Sequence, residues 1–176
     1  ITAAAKSIPT IVTGRYRTLE EADQAIRSGA ADLIGMTRAH IADPNIVRKT
    51  IAGKVDEIRP CIACNQGCVG GLGGPDMRMA CTVNAAVGFE REIGDDKLQQ
   101  VDTAKSVMVV GGGPAGMEAA RVAALRGHKV VLAEATPHLG GQLNLACQAP
   151  RHVSIIDVAH WQEREIFRLG VDVRLS

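Results

Sequence analysis

The sequence predicts an α/β protein with parallel strands, and three observations carry that reading. β-Branched runs alternate with helical patterns twice before residue 53 and again after residue 105. One of those runs leads directly into G-x-G-x-x-G, the turn that opens a nucleotide-binding βαβ unit. The 19 glycines of the 176-residue chain are bunched: five lie between Gly67 and Gly74, and four between Gly111 and Gly116. Residues 1–53 therefore read as α/β, 54–104 as a loop-rich cysteine segment, and 105–176 as α/β again. A hydrophobic content of 46% excludes general disorder, and a net charge of +1 lacks the basic excess of a nucleic-acid binder. Only Tyr16, Phe89, Trp161 and Phe167 are aromatic, so a core of Ala, Val, Ile and Leu is expected. No apolar run approaches roughly 18 residues, and the first stretch lacks a signal-peptide core. A cytoplasmic protein that does not engage membranes is the expectation. Because the chain opens on Ile1 and closes on Ser176 at the end of a strand, it reads as a piece of something longer.

In the first stretch, Ile8–Thr13 is a strand run, followed by Gly14-Arg15. Thr18 and Glu21 fit a capping box, in which each side chain satisfies an orphan N–H of the other. Leu19, Ala22, Ile26 and Ala30 then recur at helical spacing, with Gly29 near the end. Ala31–Gly35 is the next strand, followed by Thr37 and Arg38. Asp43-Pro44 starts another helix that stops at Gly53. Each strand thus ends in a polar loop carrying an arginine. In a parallel array such loops share one face, where N–H groups and guanidinium can hold a phosphate. The loops after strands 7 and 8 of a (β/α)8 barrel are a common site of this kind. Two ordinary surface arginines are the alternative.

The middle stretch carries Cys61, Cys64, Cys68 and Cys81 in the form C-x2-C-x3-C-x12-C. With no secretion signal, reduced thiols acting as ligands fit better than disulfides. Three thiolates within eight residues and a fourth returning across a glycine-rich loop suit a [4Fe–4S] cluster. Structural zinc also takes four cysteines, but usually as two separated C-x2-C pairs. Unliganded structural cysteines are the third option. Cys147 stands apart and reads as a small core residue.

In the last stretch, Ser106–Val110 is a strand, and Gly111, Gly113 and Gly116 form the glycine turn. A helix with Met117, Ala120 and Ala124 on one face follows, ending at Gly127. The strand Val130–Glu134 then finishes on an acid 18 residues beyond Gly116. This order assigns Gly111 to the tight turn, Gly113 to approach of a pyrophosphate, and Gly116 to close helix–strand packing. Glu134 would accept from a ribose. A glycine turn in a nucleotide-free βαβ unit is the rival. Leu139-Gly-Gly-Gln142 lies in reach of the same crevice, with Gln142 offering an amide. Ser154 is expected to cap a helix with Ile155, Val158, Ile166 and Leu169 on its apolar stripe, before a third strand at Val171–Leu175. His128, His138 and His160 have no partners at ligand spacing.

Six motifs together resemble one family: V-T-G-R at 12–15, G-M-T-R-A-H-I-A-D-P at 35–44, C-I-A-C-N-Q-G-C at 61–68, C-T-V-N-A at 81–85, G-G-G-P-A-G at 111–116 and L-G-G-Q-L at 139–143. They are similar to the multidomain flavin and iron–sulfur branch of the old yellow enzyme family, which includes 2,4-dienoyl-CoA reductase and trimethylamine dehydrogenase. The resemblance implies that residues 1–53 are the last two βα units of an FMN-binding (β/α)8 TIM barrel, with Gly14, Arg15, Thr37 and Arg38 near the FMN phosphate. It implies a [4Fe–4S] cluster on the four cysteines within 54–104. Residues 105–176 would be the first part of a Rossmann-like domain, with Ala115, Glu134 and Gln142 on FAD or ADP. The catalytic and nicotinamide-binding residues would lie outside these 176 residues.

The activity implied is an electron relay between NAD(P)H-linked FAD and FMN that reduces an activated C=C of a small molecule. An amine dehydrogenase passing electrons from a C–N bond to an acceptor is the alternative, and a non-catalytic cluster- or nucleotide-binding module is a third class. The spacing from Asn65 to Cys68 and the presence of Gln142 lean towards the reductase; Gly73-Gly-Pro75 before Met79-Ala-Cys81 leans towards the dehydrogenase. A homo-oligomer is compatible with either.

Overall fold

Two parallel sheets form where the β-branched runs lie. The computed structural model describes residues 2–5, 7–75 and 77–176. After one helical turn, α1 (Thr2–Ala5), strand β1 (Ile11–Thr13) pairs with β2 (Leu33–Gly35) in the register Ile11–Leu33, Val12–Ile34 and Thr13–Gly35. β1 is shorter than the run from Ile8 because Pro9 has no N–H to give a ladder. Thr10 bonds instead to the Asp32 carboxylate, through its N–H at 2.7 Å and its hydroxyl at 2.9 Å.

Between the strands, α2 (Leu19–Arg27) starts on the expected capping box: the Glu21 N–H donates to Thr18 Oγ1, and the Thr18 N–H donates back to the Glu21 carboxylate, both at 3.1 Å. It ends before Ala30, since Ser28 caps it and Gly29 turns the chain at a φ of +73°. The chain leaves β2 through buried Met36 straight into α3 (Thr37–Ala42). Thr37 and Arg38 therefore open a helix, in place of the loop expected from the sequence. The helix predicted from Asp43-Pro44 begins later, as α4 (Ile46–Ile51). The residue before a proline is pushed out of the helical region, and Asp43 is extended at φ −141° and ψ 101°. Ala22, Met36, Ala39 and Ile46 form the small core of this stretch.

Among its described residues, the middle stretch holds the short helices α5 (Val69–Leu72) and α6 (Glu90–Ile93) and two 3-10 turns. Beyond it, β3 (Ser106–Val110), β4 (Lys129–Glu134) and β5 (Asp172–Leu175) form a parallel sheet in the order β3–β4–β5. Helix α7 (Pro114–Leu125) connects β3 to β4. The passage from β4 to β5 contains α8 (Leu143–Ala146) and α9 (Asp157–Arg168). Met117, Ala120, Leu132 and Ile166 are all fully buried between helices and sheet. Each of the larger side chains contributes about 1.5–3 kcal/mol by leaving water.

Two expectations about this half are corrected. Ser154 caps no helix: it sits in the 3-10 turn before α9, and its hydroxyl donates to the Ile62 carbonyl at 3.1 Å. The core is not purely aliphatic, because Trp161 is 2% exposed and packs with Ile62 and Val158. Arg59 and Arg121 place their guanidinium groups 5.0 and 5.2 Å from its ring centroid, within cation–π range. Its indole N–H donates to the Glu57 carbonyl at 3.2 Å. Arg17 adds a second tie, bonding Asp157 at 2.8 Å and the Cys61 carbonyl at 3.2 Å. The first sheet, the cysteine segment and the second sheet are thus joined through α9. Among the described residues no helix is long and apolar enough to cross a membrane.

Candidate functional site

The glycine turn after β3 is held by backbone bonds on both sides. Gly111 adopts a φ of +105°, open to glycine but strained for other residues, and its N–H donates to the Ala133 carbonyl at 2.8 Å. The Gly112 N–H donates to Glu134 Oε2 at 2.6 Å, and the Gly112 carbonyl accepts from the Gly140 N–H at 2.8 Å. The two glycine loops, 111–116 and 140–141, therefore form one backbone-linked unit. A Cβ at Gly116 would collide with the carbonyl oxygen of Gly111, as expected for the close-packing glycine. A Cβ at Gly113 would meet nothing nearer than the Gly141 Cα at 4.0 Å. The protein leaves room at Gly113 for something else to approach, and α7 starts there, with the first-turn N–H groups of Ala115 and Gly116 lacking helical acceptors. A phosphate-sized anion fits this cradle, so the residues fit a bound nucleotide.

Glu134 does more than wait for a ribose. Besides the Gly112 N–H, it accepts from the Thr136 N–H and hydroxyl, both at 2.9 Å. The Gly112 N–H, then these Thr136 groups, hold its carboxyl below the usual carboxylate range, so it stays ionised at neutral pH. A carboxylate has about four acceptor positions, and three are taken, leaving about one for a ligand hydroxyl. Replacing Glu134 with Ala is expected to weaken adenine-nucleotide binding by about tenfold or more, the loss of one charge-assisted bond and of the loop's anchor. Titration of the variant checks this, and an unchanged affinity would remove Glu134 from the site. Gln142 is exposed where α8 begins, directly after Gly141.

The four cysteines come together. Cys61, Cys64, Cys68 and Cys81 all line one small depression, with Arg38, Asn65 and Thr82 also at its wall. Gly67 and Gly71 let the returning segment pass: a Cβ at Gly67 would lie 2.7 Å from the Ala80 carbonyl oxygen, and one at Gly71 would strike that of Arg78. Burial pushes the Cys81 thiol up, and the negative charges of Cys61 and Cys64 add to it; the Val83 and Asn84 backbone N–H groups pull the other way. All five cysteines are free thiols. Among the described residues no three Cys, His, Asp or Glu side chains are drawn tightly enough to hold one metal ion. A single tetrahedral zinc needs its sulfurs within about 3.8 Å of one another, given Zn–S bonds of about 2.3 Å. A cubane takes one thiolate per iron, and the four cysteines lining one depression match that number and donor type. Cys147 is not a core residue: it is half-exposed at the end of α8, with its Sγ 3.4 Å from the Asn144 carbonyl oxygen.

The predicted phosphate contacts leave from adjacent strand ends, since Thr13 and Gly35 are paired. Their side chains then diverge. Arg15, held at a φ of +57°, lines a depression with Arg17 and Asp157. Thr37 lines a groove with Asn45 and Arg48. Arg38 turns towards the cysteines and donates to Asn65 Oδ1 at 2.7 Å. Sequence reasoning missed Gly112, whose Cβ would meet Leu139 and Glu134, and Thr82, whose hydroxyl lies 2.8 Å from the Cys64 sulfur. The middle glycine of the run was visible as a signal; nothing in the spacing marked Thr82.

Known proteins share this sequence and fold. Residues 106–157 match the family model for FAD dependent oxidoreductases. The chain is 45% identical over 168 residues to an NADH oxidase of Thermoanaerobacter brockii, covering 96% of this chain and 26% of that protein. It is 40% identical over 174 residues to the N,N-dimethylglycine/sarcosine dehydrogenase of Chromohalobacter salexigens, covering 97% of this chain and 24% of the relative. The solved complex of 2-naphthoyl-CoA reductase with 2-naphthoyl-CoA superposes with a TM-score of 0.90 at 34% identity, over 98% of this chain and 26% of that one. Over nearly its whole length the chain is similar to one segment of multidomain, old yellow enzyme-like flavin-dependent oxidoreductases. It spans about a quarter of the length of the relatives it matches.

Proposed function

We propose that this chain carries the cofactor sites of an electron relay between FAD and FMN, serving the reduction of an activated C=C at the expense of NAD(P)H. In this reading residues 1–53 are the end of an FMN-binding TIM barrel, 54–104 hold a [4Fe–4S] cluster, and 105–176 open the FAD- or ADP-binding domain. One observation carries it: four free cysteines ring a single depression that has Arg38 of the first α/β stretch at its wall, while Cys64 packs against Trp161 and Val158 of the second. A cubane cluster supplies one-electron transfer, so two-electron flavins can exchange electrons singly.

The chain's residues do the rest. Cys61, Cys64, Cys68 and Cys81 hold the cluster. Gly113 admits the pyrophosphate, the α7 N-terminus offsets its charge, and Glu134 accepts from the ribose beside Ala115 and Gln142. Gly14 and Arg15 follow β1 and Thr37 follows β2, whose ends are neighbours and would take the FMN phosphate, while the Arg38 side chain is engaged by Asn65 beside the cysteines. Unpaired thiol ligands favour a reducing compartment, the cytoplasm. Purified anaerobically, the full chain is expected to carry about four irons with visible absorption bleached by dithionite. One zinc per chain in place of iron would overturn the reading.

A second reading has a specific support. One relative is a dehydrogenase of methylated amines and one solved neighbour a reductase of an aromatic thioester, by their names, so both directions of traffic occur around this segment. NAD(P)H-driven loss of an enone supports the reductase; dye reduction by a methylated amine supports the dehydrogenase.

A further inference from the structure

We infer that Thr82 sets the reduction potential of the cluster by hydrogen-bonding to the sulfur of Cys64; the inference rests on the cluster reading above. The Thr82 hydroxyl lies 2.8 Å from Cys64 Sγ, although the two residues are 18 apart in the chain. Among the described residues it is the side-chain hydroxyl bonded to one of the four sulfurs. A ligating cysteine is a thiolate and has no proton to give, so the hydroxyl donates. The contact is a consequence of the return path: Cys81 supplies a ligand, and the next residue supplies a donor to a different ligand.

Such a bond draws charge off the sulfur. It therefore stabilises the reduced, more negative cluster over the oxidised one and raises the potential. Cys64 packs against the apolar cluster of Ile62, Val158 and Trp161, and the same cluster reaches Leu143, next to Gln142 of the second glycine loop. Cys64 is thus the ligand turned towards the nucleotide-bearing stretch. The donors facing Cys81 are backbone N–H groups of Val83 and Asn84, which no side-chain change removes. Thr82 is itself exposed, so an isosteric replacement leaves packing in place.

The test compares Thr82→Val and Thr82→Ser with the unaltered full chain, by iron content and by a dithionite titration followed by electron paramagnetic resonance. With full iron, Thr82→Val is expected to lower the ratio of reduced to oxidised cluster at a fixed poise by about three- to tenfold, a tenfold change being about 59 mV for a one-electron couple. Thr82→Ser is expected to restore the original ratio. An unchanged ratio in Thr82→Val, or an equal shift in Thr82→Ser, overturns the inference. So does loss of iron from both Thr82→Val and Thr82→Ala while Thr82→Ser keeps it, since the hydroxyl would then serve assembly rather than potential. Iron missing from the unaltered chain overturns the cluster reading itself, and this inference with it.

Discussion

Gly116→Ala is expected to reduce adenine-nucleotide affinity by about a hundredfold and to destabilise the protein. The added methyl would run into the Gly111 carbonyl oxygen, which is fixed backbone and cannot swing aside. Either α7 must move away from the end of β3, or the Gly111 turn must open. Overpacking of this kind typically costs about 1–3 kcal/mol, and about 2.7 kcal/mol corresponds to a hundredfold in binding. Gly113→Ala is the informative contrast. Its Cβ meets no protein atom closer than 4.0 Å, and its φ of −75° suits any residue. That variant is expected to keep its stability and still lose nucleotide, because the methyl occupies the space a pyrophosphate would use. Titration calorimetry with FAD and ADP, together with thermal melting of the full chain, separates the two. A Gly116→Ala protein that binds and melts like the parent would refute the assignment of that glycine.

The largest loss of stability is expected at Asp43. Its carboxylate is 1% exposed and collects three donors: the Lys49 ammonium at 2.6 Å, and the N–H groups of Asn45 and Arg59 at 2.9 Å each. Asp43→Ala would leave Lys49 without its charge partner and two N–H groups without acceptors, at a cost of about 3–5 kcal/mol. The damage would spread, because Arg59 is one of the two arginines placed over Trp161. Asp43→Asn, which keeps one acceptor oxygen, is expected to lose less. Denaturant unfolding of the full chain measures both, and a loss under about 1 kcal/mol for Asp43→Ala would show that the carboxylate is dispensable.

Local features were legible because each needs only neighbours in the chain. The capping box of Thr18 and Glu21, the glycine turn, the acid at the end of β4 and the spacing of the four cysteines all follow from residue type and interval. Boundaries were less legible wherever a distant partner intervened. Ser154 reads as a helix cap, yet the Ile62 carbonyl takes its hydroxyl. Trp161 reads as one of too few aromatics to matter, yet two arginines from separate stretches enclose it. Thr37 and Arg38 read as a loop because nothing in their spacing announces that buried Met36 carries the chain directly into a helix.

The sequence by itself determined the parallel α/β class, the spacing of the four cysteines and the glycine turn, since periodicity and motif spacing are one-dimensional properties. Tertiary structure alone decided the rest. It turned Arg38 to the cysteines and Arg15 to a separate depression, made Glu134 the anchor of Gly112, and brought the Thr82 hydroxyl to the Cys64 sulfur. The reason is physical: a side chain's direction depends on what packs against it, and the groups that pack here come from positions up to 140 residues apart.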